Sequence, residues 1–113
     1  MNGGGKKRVF RVLGIHPEYI DRYKQMHANP WSQVSQAIKR IGIRNYSIFI
    51  HGNLIFSYYE IPEDIDQDFI AQQWVNDPVC QQWERIMQQM QIPVPDAAKG
   101  EWWSQAEEIF HQE

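Results

Sequence analysis

Cysteine is almost absent from this chain: Cys80 is the single one in 113 residues. No intrachain disulfide and no cysteine-rich metal site can therefore form. No apolar run nears the roughly 18–20 residues that span a bilayer, and Met1-Asn2-Gly3-Gly4-Gly5-Lys6-Lys7 leads into no signal-peptide core. A basic block is missing too. Eleven Lys and Arg against fourteen Asp and Glu leave a formal charge of −3, which argues against a phosphate-tracking surface and against nucleic acid as a partner. There is no His-x-His, no His-Glu-x-x-His and no carboxylate cluster at ligand spacing, so no metal is expected. The glycines at 3–5 precede no helix and cradle no phosphate, and no Ser, His and Asp set emerges from spacing. What remains is a cofactor-free acid–base site, or a binding pocket without turnover, in a chain expected in the cytoplasm and away from membranes.

What the chain has in plenty is aromatic: five Trp, five Tyr and five Phe, with 42% hydrophobic residues overall. That is ample for one small domain, and some of these rings are expected to line a pocket. Residues 1–7 read as a disordered, glycine-rich tail and residues 8–113 as a single domain. Residues 8–15 are β-branched and aromatic and read as the first strand. Pro17 opens a helix carrying Ile20, Tyr23, Met26 and His27, which Asn29-Pro30 interrupts. Asn29 as cap and Pro30 as first helical residue restart it at once, with a stripe of Trp31, Val34, Ile38 and Ile41 and a stop at Gly42. Residues 44–50 and 54–61 make a hairpin about His51-Gly52-Asn53. A helix over 65–76 follows, then Asp77-Pro78 caps another bearing Val79, Trp83, Ile86 or Met87, and Met90. Residues 92–96 forbid helix, and 107–112 supply a closing fourth strand. The order β-α-β-β-α-β, with each helix broken near a proline, predicts an α+β, ferredoxin-like protomer: an antiparallel sheet with helices on one face. The other face needs a cover, and a homodimer is the expected one.

Among the histidines, His16 and His51 fall in turns, and His111 lies in the last strand. His27 stands apart: it shares a helix face with Tyr23 and sits at a helix C-terminus, whose dipole favours imidazolium. A near-neutral imidazole beside phenol and indole rings can exchange protons with a small polar ligand; the alternative is a core histidine bonded to a carbonyl. Trp31 and Trp83 lie on apolar stripes and fit the core. Tyr46 sits in a strand, and its hydroxyl needs a partner if buried. Trp102-Trp103 occupy a polar linker and suggest a lid or a dimer contact. Flat rings with interspersed hydroxyls suit a sugar.

Several segments taken together resemble one family. Tyr23-x-x-x-His27 with Trp31, then Gly42-Ile43-Arg44-Asn45-Tyr46-Ser47-Ile48, Gly52-Asn53-Leu54, Asp77-Pro78-Val79 through Trp83, and Glu101-Trp102-Trp103 with Glu107-Glu108-Ile109-Phe110-His111 resemble the L-rhamnose mutarotase family. The resemblance runs from about Arg8 onward. It implies a dimeric α/β barrel that interconverts the α and β anomers of a 6-deoxyhexopyranose such as L-rhamnose, with no coenzyme or metal. It implies His27 as the catalytic acid–base residue and Tyr23, Tyr46 and Trp83 as sugar contacts. The next family position is normally a second tryptophan. Here it is Glu84, a carboxylate that would hydrogen-bond hydroxyls where a ring would stack. Two other readings compete: a sugar-binding module without turnover, and a cofactor-free oxygenase or lactone isomerase of the same barrel type.

Overall fold

The computed structural model describes residues 5–113; of the tail expected at 1–7, residues 1–4 lie outside the described residues. Strand β1 spans Lys6–Ile15, so Lys6 and Lys7 belong to the sheet, paired with Pro62 and Ile61. After a 3-10 turn at Pro17–Tyr19 come α1 (Ile20–Ala28), α2 (Ser32–Ile41), β2 (Arg44–His51), β3 (Leu54–Pro62), α3 (Gln67–Asn76), α4 (Pro78–Met90), β4 (Gln91–Ile92) and β5 (Ser104–Ala106). All pairings are antiparallel. The strand order is β2-β3-β1, with β4 and β5 sharing the free edge of β1.

Period-2 alternation decides which residues meet the helices. Val9, Leu13, Ile55 and Ile61 face inward and are at most 1% exposed, each such burial contributing about 1.5–3 kcal/mol. Phe10, Phe49 and Leu54 face outward and stay exposed. Gly14 is required where β4 crosses, because a Cβ there would lie 2.8 Å from the Ile92 carbonyl oxygen. Gly42 ends α2 at φ 105, donating its N–H to the last turn.

The doubled helices arise as expected, but one restart differs. Asn29 closes α1 at φ −135 and ψ 71 and does not cap α2, which begins at Ser32 after an extended Trp31. Proline forces Asn29 out of the helical region, and the extended Trp31 backbone carries its ring edge-on to Trp83, 5.1 Å between centroids. Asp77 does cap α4, accepting from the Val79 and Cys80 amides, and it pairs with Arg40 of α2 at 2.7 Å. Asp66, a cap the sequence reading passed over, starts α3 at Gln67.

The closing strand is misplaced in the sequence reading. Residues 107–112 have no regular structure; the edge of β1 is taken by β4 and by β5. An Arg8–Glu108 ion pair at 2.7 Å holds the segment just beyond β5, while Ile109 and Phe110 remain 90% and 76% exposed.

Candidate active site

A cavity of about 610 Å³ opens between the inner face of the sheet and helices α3 and α4, within the range of small-ligand sites, about 300–1,000 Å³. Arg11 from β1, Tyr46 from β2, Tyr59 from β3, Trp74 from α3, Glu84 from α4 and Trp103 are among its walls.

Tyr46 reaches the cavity through a β-bulge. Between Arg44 and Ser47 the pairing of β2 slips by one residue, and Asn45 absorbs the slip at φ 51. Asparagine tolerates that left-handed conformation, and its amide donates to Glu60 at 2.7 Å. The bulge leaves Tyr46 beside Tyr59, edge to face at 5.6 Å. Burial pushes its phenol up, and the nearby Arg11 guanidinium opposes this.

Arg11 is the inward residue between Val9 and Leu13. Its Nε donates to Ser57 Oγ at 3.1 Å, and its guanidinium lies 5.1 Å from the Tyr59 ring centre and 4.4 Å from that of Trp103. Among the described residues it has no carboxylate partner within ion-pair distance. Glu84 accepts from the Trp74 indole at 3.2 Å. Burial raises its carboxyl above the usual range, against the opposing pull of the Trp74 bond and the Arg11 charge.

Beside the cavity lies an aromatic cluster. The His27 ring stacks on Tyr23 at 4.3 Å and meets Trp83 edge-on at 5.7 Å. His27 Nδ1 lies 2.7 Å from the Tyr23 carbonyl oxygen one turn back. That oxygen can only accept, so Nδ1 carries the hydrogen and Nε2 keeps its lone pair in the neutral ring. Burial lowers the His27 pKa, and the carbonyl bond offsets only part of it; the sequence alone suggested a near-neutral imidazole with the helix dipole favouring its charged form, and burial outweighs that dipole. Tyr23 is 3% exposed, and burial pushes its phenol far up.

The five residues singled out from sequence thus fall in two adjoining places. Tyr46 and Glu84 line the cavity, whereas Tyr23, His27 and Trp83 form the cluster behind it. Tyr23 links the two, since Tyr46, Glu84 and Arg11 lie close enough for their charges to act on its phenol. His51 and His111 are exposed and His16 only meets Tyr19, so none joins the site. Of the tryptophan pair, Trp103 lines the cavity over Arg11, and Trp102 donates its indole hydrogen to Gln91 at 2.8 Å. Arg11 and Gln91 were missed. A charge at an inward strand position was the available signal for Arg11; Gln91 gave none. Among the described residues no group of three or more His, Cys, Asp or Glu could hold a metal ion, and no helix is long and apolar enough to cross a membrane.

Comparison with known proteins agrees with this fold. An L-fucose mutarotase of Xanthomonas campestris is 31% identical over 92% of this chain and 86% of its own length. A UPF0734 protein of Dictyostelium discoideum is 33% identical over 82% of this chain and 78% of its own. The crystal structure of an L-rhamnose mutarotase from Formosa agariphila superposes with a TM-score of 0.73, at 23% identity, over 95% of this chain and 99% of that one. The family model described as L-rhamnose mutarotase matches residues 8–112, nearly all of the sequence: the chain belongs to the L-rhamnose mutarotase family.

Proposed function

We propose that this chain is an isomerase that interconverts the α and β anomers of a 6-deoxyhexopyranose of the rhamnose or fucose type. The observation that carries the reading is His27, whose bonded Nδ1–H leaves Nε2 as a proton acceptor in an aromatic cluster adjoining a cavity that holds Arg11, Tyr46 and Glu84. In this reaction the base takes the proton of the anomeric hydroxyl while the ring oxygen gains one. The bond from C1 to the ring oxygen breaks, giving the open-chain aldehyde. C1 turns about its bond to C2, the freed hydroxyl adds to the other face, and the protons return. The sugar undergoes no net oxidation or reduction and loses no group, so the chemistry calls for neither coenzyme nor metal. A lowered pKa keeps His27 neutral and ready as base at pH 7, and positioned proton transfer is worth roughly 10²–10⁴-fold.

Tyr23, Tyr46, Trp83 and Glu84 are the sugar-contacting side chains in this reading, with Arg11 as an added donor to a hydroxyl. Two copies of the chain are assigned to one barrel, joined through the outer sheet face, where Phe10 and Phe56 lie 6.0 Å apart and Phe49 is 59% exposed. Cys80, buried and with its thiol pushed up to about 11, suits the reducing cytoplasm where we place the enzyme.

Exchange NMR on L-rhamnose and L-fucose tests the reading. Wild type should speed α–β exchange beyond the solvent rate, and His27→Ala should lose about 10²-fold or more with fold retained. Binding without faster exchange would make the protein a sugar-binding module instead.

A further inference from the structure

Gln91 sits where α4 passes into β4 and is 4% exposed. Its amide is bonded at both ends: Oε1 accepts from the Trp102 indole at 2.8 Å, and Nε2 donates to the Tyr23 hydroxyl oxygen at 3.0 Å. The direction of this chain of bonds is forced. An indole N–H can only donate, so the Gln91 carbonyl must face Trp102. The NH₂ end then faces Tyr23, and an amide NH₂ cannot accept. The Tyr23 oxygen therefore accepts from Gln91, and its own hydrogen must point elsewhere. Among the described residues no acceptor takes that hydrogen. The charged and titratable groups around the phenol are Arg11 from β1, His27 from its own helix, Tyr46 from β2 and Glu84 from α4; three of these line the cavity.

From this we infer that Gln91 and Trp102 are positioning residues: they set the polarity of Tyr23, so that its hydroxyl serves the ligand as a hydrogen-bond donor. A pyranose has one oxygen without a hydrogen, the ring oxygen, which can only accept and so suits a phenol whose oxygen already takes a bond from Gln91 and whose hydrogen is free. The inference rests on the mutarotase reading for its ligand, but the bond chain itself does not. Trp102 lies in the segment between β4 and β5, so this segment closes the fold and also sets the direction of a donor two bonds away.

Gln91→Glu tests polarity with almost no change of shape. The ionised carboxylate accepts from Trp102 and also from Tyr23, turning the phenol's hydrogen away from the ligand. Protonated, the same side chain donates to Tyr23 and restores the native direction. The ratio of variant to wild-type exchange should thus approach one at pH 5 and fall by about tenfold or more at pH 8, the size of one lost hydrogen bond. A packing role predicts the reverse: no effect from Gln91→Glu and a large one from Gln91→Leu. Gln91→Leu should instead leave a smaller, pH-independent loss, because Tyr23 keeps its hydrogen, and it serves if the charged variant fails to fold. The Trp102 indole N–H resonance, identified by Trp102→Phe, should shift in Gln91→Leu while the other indoles hold still. A folded Gln91→Glu protein that tracks wild type from pH 5 to 8 overturns the inference. If wild type does not speed anomer exchange, the mutarotase reading fails, and an indole resonance unmoved by Gln91→Leu would then sink the bond chain as well.

Discussion

His27 and Tyr23 were legible as single residues because a spacing of four puts two side chains on one helix face, whatever the tertiary fold. Their titration was not legible, since burial is a property of the packed molecule. The lowered His27 pKa fixes a pH behaviour. Its neutral form is favoured in the fold, so its contribution to stability is present above pH 6.5 and is lost as pH falls through the lower folded value. The acid limb of the exchange rate should accordingly lie below pH 6.5, and a limb at or above that value would contradict the assignment. Glu84 has the opposite sign. Its raised carboxyl contributes stability below pH 4.5 that is lost as pH rises through the folded value. Glu84→Gln keeps an acceptor for Trp74 and cannot ionise. Its urea midpoint relative to wild type should rise between pH 4 and pH 8; a constant difference would mean that the carboxylate is well compensated at neutral pH. Gln91 was invisible in the sequence because its meaning comes from two partners 11 and 68 residues away.

At the scale of elements, the strands, the broken helices and the Asp77 cap followed from local chemistry, and the failures came where a distant contact outranked it. Asn29-Pro30 has the composition of a helix start, yet the reach of Trp31 toward Trp83 delays that start to Ser32. Residues 107–112 hold the better β-formers, yet the edge of β1 goes to residues 91–92 and 104–106. The bulge at Asn45 left only an asparagine as its mark. It also makes a firm expectation: Asn45→Val forces a β-branched residue to φ 51 and should cost about 1–2 kcal/mol in denaturant titration. Asn45→Gly, free to adopt that angle, should cost less. Equal losses in the two variants would assign the effect to the bond with Glu60 rather than to the backbone.

For the whole molecule, Phe69 and Val75 stay exposed on α3, and another set of exposed apolar residues lies on and beside the outer sheet face: Phe10, Phe49, Leu54, and beyond β5 the pair Ile109 and Phe110. The sheet face is the surface a second copy would cover, and Phe49→Asp should shift the sedimentation equilibrium toward monomer at micromolar concentration. An unchanged dimer would move the interface elsewhere. The pairing of β1 with β5 carries one more consequence, in the time of synthesis. Arg8 and Glu108 are 100 residues apart in the chain, and β1 is the strand on which β3, β4 and β5 all converge. A ribosome adding about 5–20 residues per second finishes β1 long before it makes β5. For about 5–20 s the nascent sheet has its central strand and lacks the partner at its edge. The first strand to be made is among the last to be completed.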